Sequence, residues 1–237
     1  MSSAPPHPSG PAEGPRPLIP ERSSRNSVRC ERLITLSDCV FAFAITLLAL
    51  SLVVPVLSKD ALQIELMQHL MGMWPAFLSY FVSFFVIAGW WGGHHQIFSC
   101  IRRCNSTIKG LNFYFLLCIT IIPFLTNLIV TYWHFALATV LYAAMQAITG
   151  TVLLVMWIYA ARDHRLIDPD LNPRKIRLIF HRSFWAICIF LFSIPIALFS
   201  TPIAQISWIA IPPIGLIVQR AYEDAEEFLL EQRQVQG

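Results

Sequence analysis

The sequence predicts an all-α integral membrane protein with six transmembrane helices and cytoplasmic N and C termini, and three observations predict it. Apolar residues make up 56% of the 237-residue chain and charged residues only 13%, against roughly half and a quarter in soluble domains. The apolar residues gather into six stretches separated by polar or turn-rich connections. Basic residues fill alternate connections and are nearly missing from the others, as the positive-inside rule requires of an even number of crossings.

Residues 1–29 are rich in Pro, Ser and Gly and hold no apolar run, so a disordered cytoplasmic tail is expected there and no secretory signal peptide. The six-helix transmembrane part would be residues 30–220, followed by a cytoplasmic tail at 221–237. The first span, residues 33–57, would act as its own signal-anchor and stops at Ser58-Lys59-Asp60. Residues 61–73 suit a short interfacial helix. The second span covers 74–98, the third 111–130 and the fourth 135–161. The fifth, 184–199, and sixth, 203–218, are close to the lower limit of about 17 residues for a crossing. The uncharged turn Ser200-Thr201-Pro202 joins them as an antiparallel hairpin.

Arg16, Arg22, Arg25, Arg29 and Arg32 precede span one. Arg102, Arg103 and Lys109 lie between spans two and three, and Arg162, Arg165, Arg174, Lys175, Arg177 and Arg182 between four and five, with Arg220 after span six. The other connections hold Lys59 and almost nothing else. That side is therefore expected to be cytoplasmic. Pro123, Pro195 and Pro212-Pro213 fall inside spans, where neighbouring helices satisfy the freed carbonyls, so kinks are expected. No internal repeat and no arginine-rich voltage sensor is evident.

A formal net charge of +3 is too small for a nucleic-acid binder. The six cysteines, Cys30, Cys39, Cys100, Cys104, Cys118 and Cys188, read as reduced packing thiols, because they lie in apolar stretches or on the side assigned to the cytoplasm.

Polar groups inside a membrane are costly and mark the places where function resides. They are Ser37, Asp38 and Thr46 in span one, His94 and His95 in span two, Asn112, Thr120 and Asn127 in span three, and Gln146 in span four. Arg32 and Asp38 are separated by about 600° of helical rotation, so they point to different sides and each needs a partner on another helix or subunit. The bland reading of Arg32, Ser37 and Asp38 is a buried polar clamp that fixes packing. The other is ion or proton transfer, with His94 and His95 meeting Asp38 at one depth. A metal site using the histidines with Cys100 and Cys104 is a further alternative, though adjacent histidines diverge by about 100° on a helix. No cofactor or metal is expected. The rest of span one is apolar all round, and its periodicity does not choose which stripe faces what.

The stretch Arg32-x-x-x-Leu36-Ser37-Asp38-x-Val-Phe-Ala-Phe-Ala-Ile-Thr46-Leu-Leu resembles the signature of the transmembrane protein 175 family of potassium channels. Trp91-x-x-His94-His95-x-x-Phe98 is similar to that family's second-helix motif, and Leu166-Ile167-Asp168-Pro169-Asp170-Leu171 to its linker between helices four and five. The resemblance implies a potassium channel of the prokaryotic single-repeat kind. It would be a homotetramer in the plasma membrane whose first helices line the pore, with potassium as permeant ion and lipid as surroundings. It also implies a hydrophobic constriction in place of a carbonyl filter. By position the constriction falls on Phe43, a hydroxyl layer on Thr46 and a second apolar ring on Leu50, the stripe continuing to Leu57. Arg32, Ser37, Asp38, Trp91, His94 and His95 form the structural polar motif. Phe43 stands where the family carries Ile or Leu, Leu36 where it carries Phe, and Gly93 where Asn is usual. From a different class, a proton-coupled secondary transporter using Asp38 and His94/His95 is the alternative function.

Overall fold

The structure, a computed structural model, describes residues 21–53, 63–169, 171–211, 215 and 220, and of 21–27 and 29 the backbone only. Its regular elements among these residues are helices. Helix α1 spans Glu21–Leu47 and tightens into a 3-10 turn at Leu48–Ser51. Then follow α2 (Gln63–Gly72), α3 (Trp74–Cys100), α4 (Ser106–Thr131), α5 (Ala136–Ala161), α6 (Pro173–Phe199) and the short α7 (Thr201–Ser207).

Five stretches are long and apolar enough to cross a bilayer: Cys30–Ser51, Trp74–Cys100, Ser106–Thr131, Ala136–His164 and Pro173–Phe199. They match expected spans one to five. Of the sixth, the described part is α7 with the 3-10 turn Trp208–Ala210 and single positions beyond. The turn into it is tight: Phe199 ends α6, Ser200 is extended, and Thr201 begins α7. The side chains of α2 are all exposed, which fits a helix lying on a surface.

Several helix ends differ from those read off hydropathy, and local chemistry explains them. Helix α6 begins at Pro173 and not at 184. Asn172 Oδ1 accepts from the Arg174 backbone N–H at 2.9 Å, and proline occupies the first turn, the usual start of a helix. The first turns of α6 carry Arg174, Lys175 and Arg177, which an apolar window rejects and a helical backbone accepts. Asn105 caps α4 in the same way, accepting from Ile108 N–H at 3.0 Å. Helix α1 starts at Glu21, so residues 21–29 of the expected disordered tail are helical. Helices α4 and α6 run unbroken through Pro123 and Pro195, whereas Pro212 and Pro213 lie outside the described residues.

Helix α5 is the hub, packing most extensively on α6 and α4, while α1 leans on α4 and α3. Small side chains permit the closest approach. A Cβ built on Gly150 of α5 would lie 2.7 Å from Ile187 Cγ1 and 2.8 Å from Trp90 Cη2. Only glycine fits there.

Three of the basic connections meet at one end of the bundle. Ile101 and Ile167 form an isolated antiparallel bridge, Arg102 N–H donates to Leu166 O at 2.8 Å, and the Arg102 guanidinium pairs with Asp168 at 2.7 Å. Cys30 and Cys104 are joined by a disulfide, which corrects the expectation that all six cysteines are free thiols. Their sequence separation of 74 hid the pair. A compartment argument says where disulfides persist, not which side chains the fold brings together. Cys39, Cys100, Cys118 and Cys188 are free.

Candidate functional site: the two faces of the first helix

Helix α1 divides cleanly by burial. Cys30, Leu33, Ser37, Phe41, Ala44, Leu48 and Ser51 are buried, a recurrence of three or four residues that marks one face. That face packs on α3 and α4.

A chain of polar contacts crosses this packing. Ser37 Oγ donates to the Leu33 carbonyl at 2.9 Å and accepts from Asn112 Nδ2 at 3.0 Å. Asn112 Oδ1 lies 2.8 Å from His94 Nε2, so the imidazole N–H is the donor there. All three residues are at most 1% exposed. The rings of Phe41, Phe98 and Phe115 surround His94, with Phe115 stacked parallel at 5.5 Å. Buried polar groups in an apolar shell hold one arrangement because any slip orphans a donor.

Asp38 lies beside this chain and not in it. Its Oδ1 accepts from the Trp91 indole N–H at 2.9 Å, and Trp91 stacks on the exposed His95. The expected meeting of both histidines with Asp38 is therefore corrected. His94 points inward to Asn112, His95 diverges as adjacent helical positions must, and tryptophan takes the carboxylate. Arg32 is exposed and makes no polar contact among the described residues. The metal alternative loses a ligand, since Cys104 is bonded to Cys30.

The opposite face of α1 is bare. Phe43 is 71% and Leu50 73% exposed, and Leu36, Leu47 and Val53 are exposed with them. Thr46 is exposed too, its hydroxyl donating to the Phe43 carbonyl at 2.9 Å. Leu57 lies outside the described residues.

One polar group of interest, and the partner of another, escaped the sequence reading. Ser83 Oγ accepts from Thr126 at 2.8 Å and from Tyr142 at 3.0 Å, tying α3, α4 and α5 at the other end of the bundle. Gln146 was visible as a polar residue, but its partner, the Trp90 indole N–H at 2.8 Å, was not.

The family model described as "Endosomal/lysosomal potassium channel TMEM175" matches residues 32–123, from the arginine of the α1 motif into α4. Potassium channel Cha6605_3372 of Chamaesiphon minutus is 32% identical over 151 residues, covering 62% of this chain and 74% of that protein. The chain belongs to the TMEM175 family. It is thus a multi-pass membrane channel protein and not an enzyme. A second relative, Potassium channel B446_29190 of Streptomyces collinus, is 30% identical over 62% of this chain and 71% of its own length. The human endosomal/lysosomal proton channel TMEM175 is 21% identical over 68% of this chain and 32% of its length. Among solved structures, the crystal structure of a lysosomal potassium-selective channel TMEM175 homolog from Chamaesiphon minutus superimposes with a TM-score of 0.70. It shares 26% identity and covers 81% of this chain and 98% of that one.

Proposed function

We propose that this chain is a potassium-selective, leak-type channel of a prokaryotic plasma membrane. Four copies assemble around a central pore lined by α1, and the sixth crossing returns the C terminus to the cytoplasm beside the N terminus. The observation that carries the reading is the bare stripe of α1. A bundle helix that anchors one face through a buried polar chain and leaves Phe43, Thr46 and Leu50 exposed is built to meet something outside its own protomer. Around a fourfold axis, Phe43 forms the hydrophobic constriction, Thr46 a hydroxyl layer, and Leu50 a second apolar ring that continues to Leu57. Such a constriction conducts only when wetted, and a hydroxyl layer beside it replaces part of an ion's hydration. The bacterial relatives named as potassium channels support potassium as the permeant ion.

Protons are the second reading, because the human relative is named a proton channel. The coupled transporter gains nothing from the geometry: Asp38 and His94 hydrogen-bond to Trp91 and Asn112 and not to each other.

Flux into liposomes holding purified protein, with separate potassium, sodium and proton gradients, tests the proposal. Potassium flux above sodium and proton flux is expected, rising in Phe43→Ala and changing its ion preference in Thr46→Ala. Unchanged flux and preference in both variants would remove these residues from the pore. Dominant proton flux would favour the second reading, and saturable uptake lost in Asp38→Asn would revive the transporter.

A further inference from the structure

A cavity of about 530 Å³ opens between α3, α6 and the residues Trp208, Ile209, Ile211 and Gly215 that follow α7, on a different part of the bundle from the α1 stripe. On α3 its wall recurs every three or four residues, through Phe81, Phe85, Gly89 and Gly93 to Gln96. From Leu78 to Gln96 the groove follows eighteen residues of helix, about 27 Å, most of the roughly 30 Å thickness of a bilayer's hydrocarbon.

Its polarity is one-ended. Trp90 and Trp208 line the groove, but their indole N–H groups are committed to Gln146 and Ser193, so they offer it carbon. The polar lining gathers where Gln96, Arg182 and Ser183 meet. Gln96 lies one turn before the end of α3, at the end of the bundle where the basic connections gather. Among the described residues, the polar contact of Arg182 is the Gln96 side-chain carbonyl at 3.3 Å. A carbonyl orients a guanidinium without neutralising it. An arginine half-sunk in a membrane-spanning helix calls for a counter-anion, and a bidentate fork suits a phosphate oxygen pair.

We propose that this groove is a binding site for one anionic phospholipid, its phosphate on Arg182 and Gln96 and one acyl chain lying along α3 and α6. Gly89 makes room for the chain: a Cβ there would meet nothing within 4 Å. A larger side chain at 89 therefore extends into the groove without first displacing a neighbour.

The test is native mass spectrometry of the purified full-length protein, delipidated in detergent and titrated with dioleoyl phosphatidylglycerol, dioleoyl phosphatidylcholine or inorganic phosphate. One phosphatidylglycerol per protomer is expected, preferred over phosphatidylcholine about fivefold, as one lysine or arginine contributes at a membrane surface. Inorganic phosphate alone should not be retained. Arg182→Gln should abolish the preference and keep weak binding of both lipids, Gly89→Phe should weaken both, and Arg102→Gln, at an exposed pair, should change neither. Equal retention of the two lipids by the unaltered protein would overturn the proposal. So would retention of phosphate without lipid, or a groove closed to both lipids by a neighbouring subunit or the rest of the chain. Gly89→Phe keeps the proposal testable if Arg182→Gln does not fold, and full lipid retention in that variant would also refute it.

Discussion

Replacing Asn112 by Leu keeps the branched outline of the side chain and removes the amide that joins α1 to α3 through α4. Two hydrogen bonds go, to His94 Nε2 at 2.8 Å and to Ser37 Oγ at 3.0 Å, and their loss is unequal. Ser37 still donates to the Leu33 carbonyl and loses only an incoming bond, worth roughly 0.6 kcal/mol between membrane helices. His94 is left with an N–H among the rings of Phe41, Phe98 and Phe115. A buried orphaned donor costs about 1–3 kcal/mol. The single substitution should therefore destabilise the fold by roughly 1.5–3.5 kcal/mol. His94→Phe in the same background removes the orphan, since exchanging both partners for apolar groups is close to neutral. The double variant should then be more stable than Asn112→Leu alone. Reversible denaturant unfolding in mixed micelles, followed by tryptophan fluorescence, gives the free energies for the cycle. A cost below about 0.5 kcal/mol for Asn112→Leu, or a double variant whose loss equals the sum of the singles, would refute the argument that this chain clamps α1.

Gly150→Ala should destabilise by about 1–3 kcal/mol, the range for overpacking. The new methyl would strike the Ile187 stem and an indole held by Gln146, and Gly89→Ala in the same thermal-shift series should lie within about 0.5 kcal/mol of the unaltered protein. Alkylation of the denatured protein without reductant should label Cys39, Cys100, Cys118 and Cys188 alone, and reduction should expose Cys30 and Cys104 and lower stability by about 2–4 kcal/mol; six labelled thiols before reduction would remove the link. Arg102→Ala should cost no more than about 1 kcal/mol in the same assay, because the Arg102 side chain is 71% exposed in its pair with Asp168.

The class and the order of the helices were legible because each crossing must satisfy its backbone internally and clothe itself in carbon. That demand writes itself into composition, and it places α3, α4 and α5 within a few residues of the expected bounds. What hydropathy could not show is where a helix continues past the apolar region. The start of α6 was signalled differently, by the Asn172-Pro173 cap, and a reading that weighed caps above hydropathy would have found it. The polar residues of the site were all visible, yet their pairing was not. Asn112 and Ser37 are 75 residues apart, and nothing local says that the amide reaches Ser37 and His94 while the Asp38 carboxylate goes to Trp91. The disulfide was hidden for the same reason.

The geometry of the clamp gives the α1 motif a physical role that a list of polar residues does not. A smooth apolar helix packed among others rotates about its axis at little cost, because one aliphatic side chain replaces another in the same hole. Ser37 removes that freedom: turned by one position, it would leave Asn112 Nδ2 without its acceptor in a fully buried place. Asp38, held from the neighbouring direction by Trp91, restricts rotation the other way. Thr46 follows Ser37 by nine residues, about two and a half turns of helix, so a serine fixed inward sets the threonine about 180° away, facing out. Phe43 and Leu50 lie about 60° and 40° from that direction, on the same side of it, and with Leu47 they are the exposed large apolar residues of this part of the helix. The clamp and the stripe are thus one device. Polar groups near one end of α1 determine which apolar residues further along it are presented outward, and a loosened clamp would blur the stripe before it unfolded the protein.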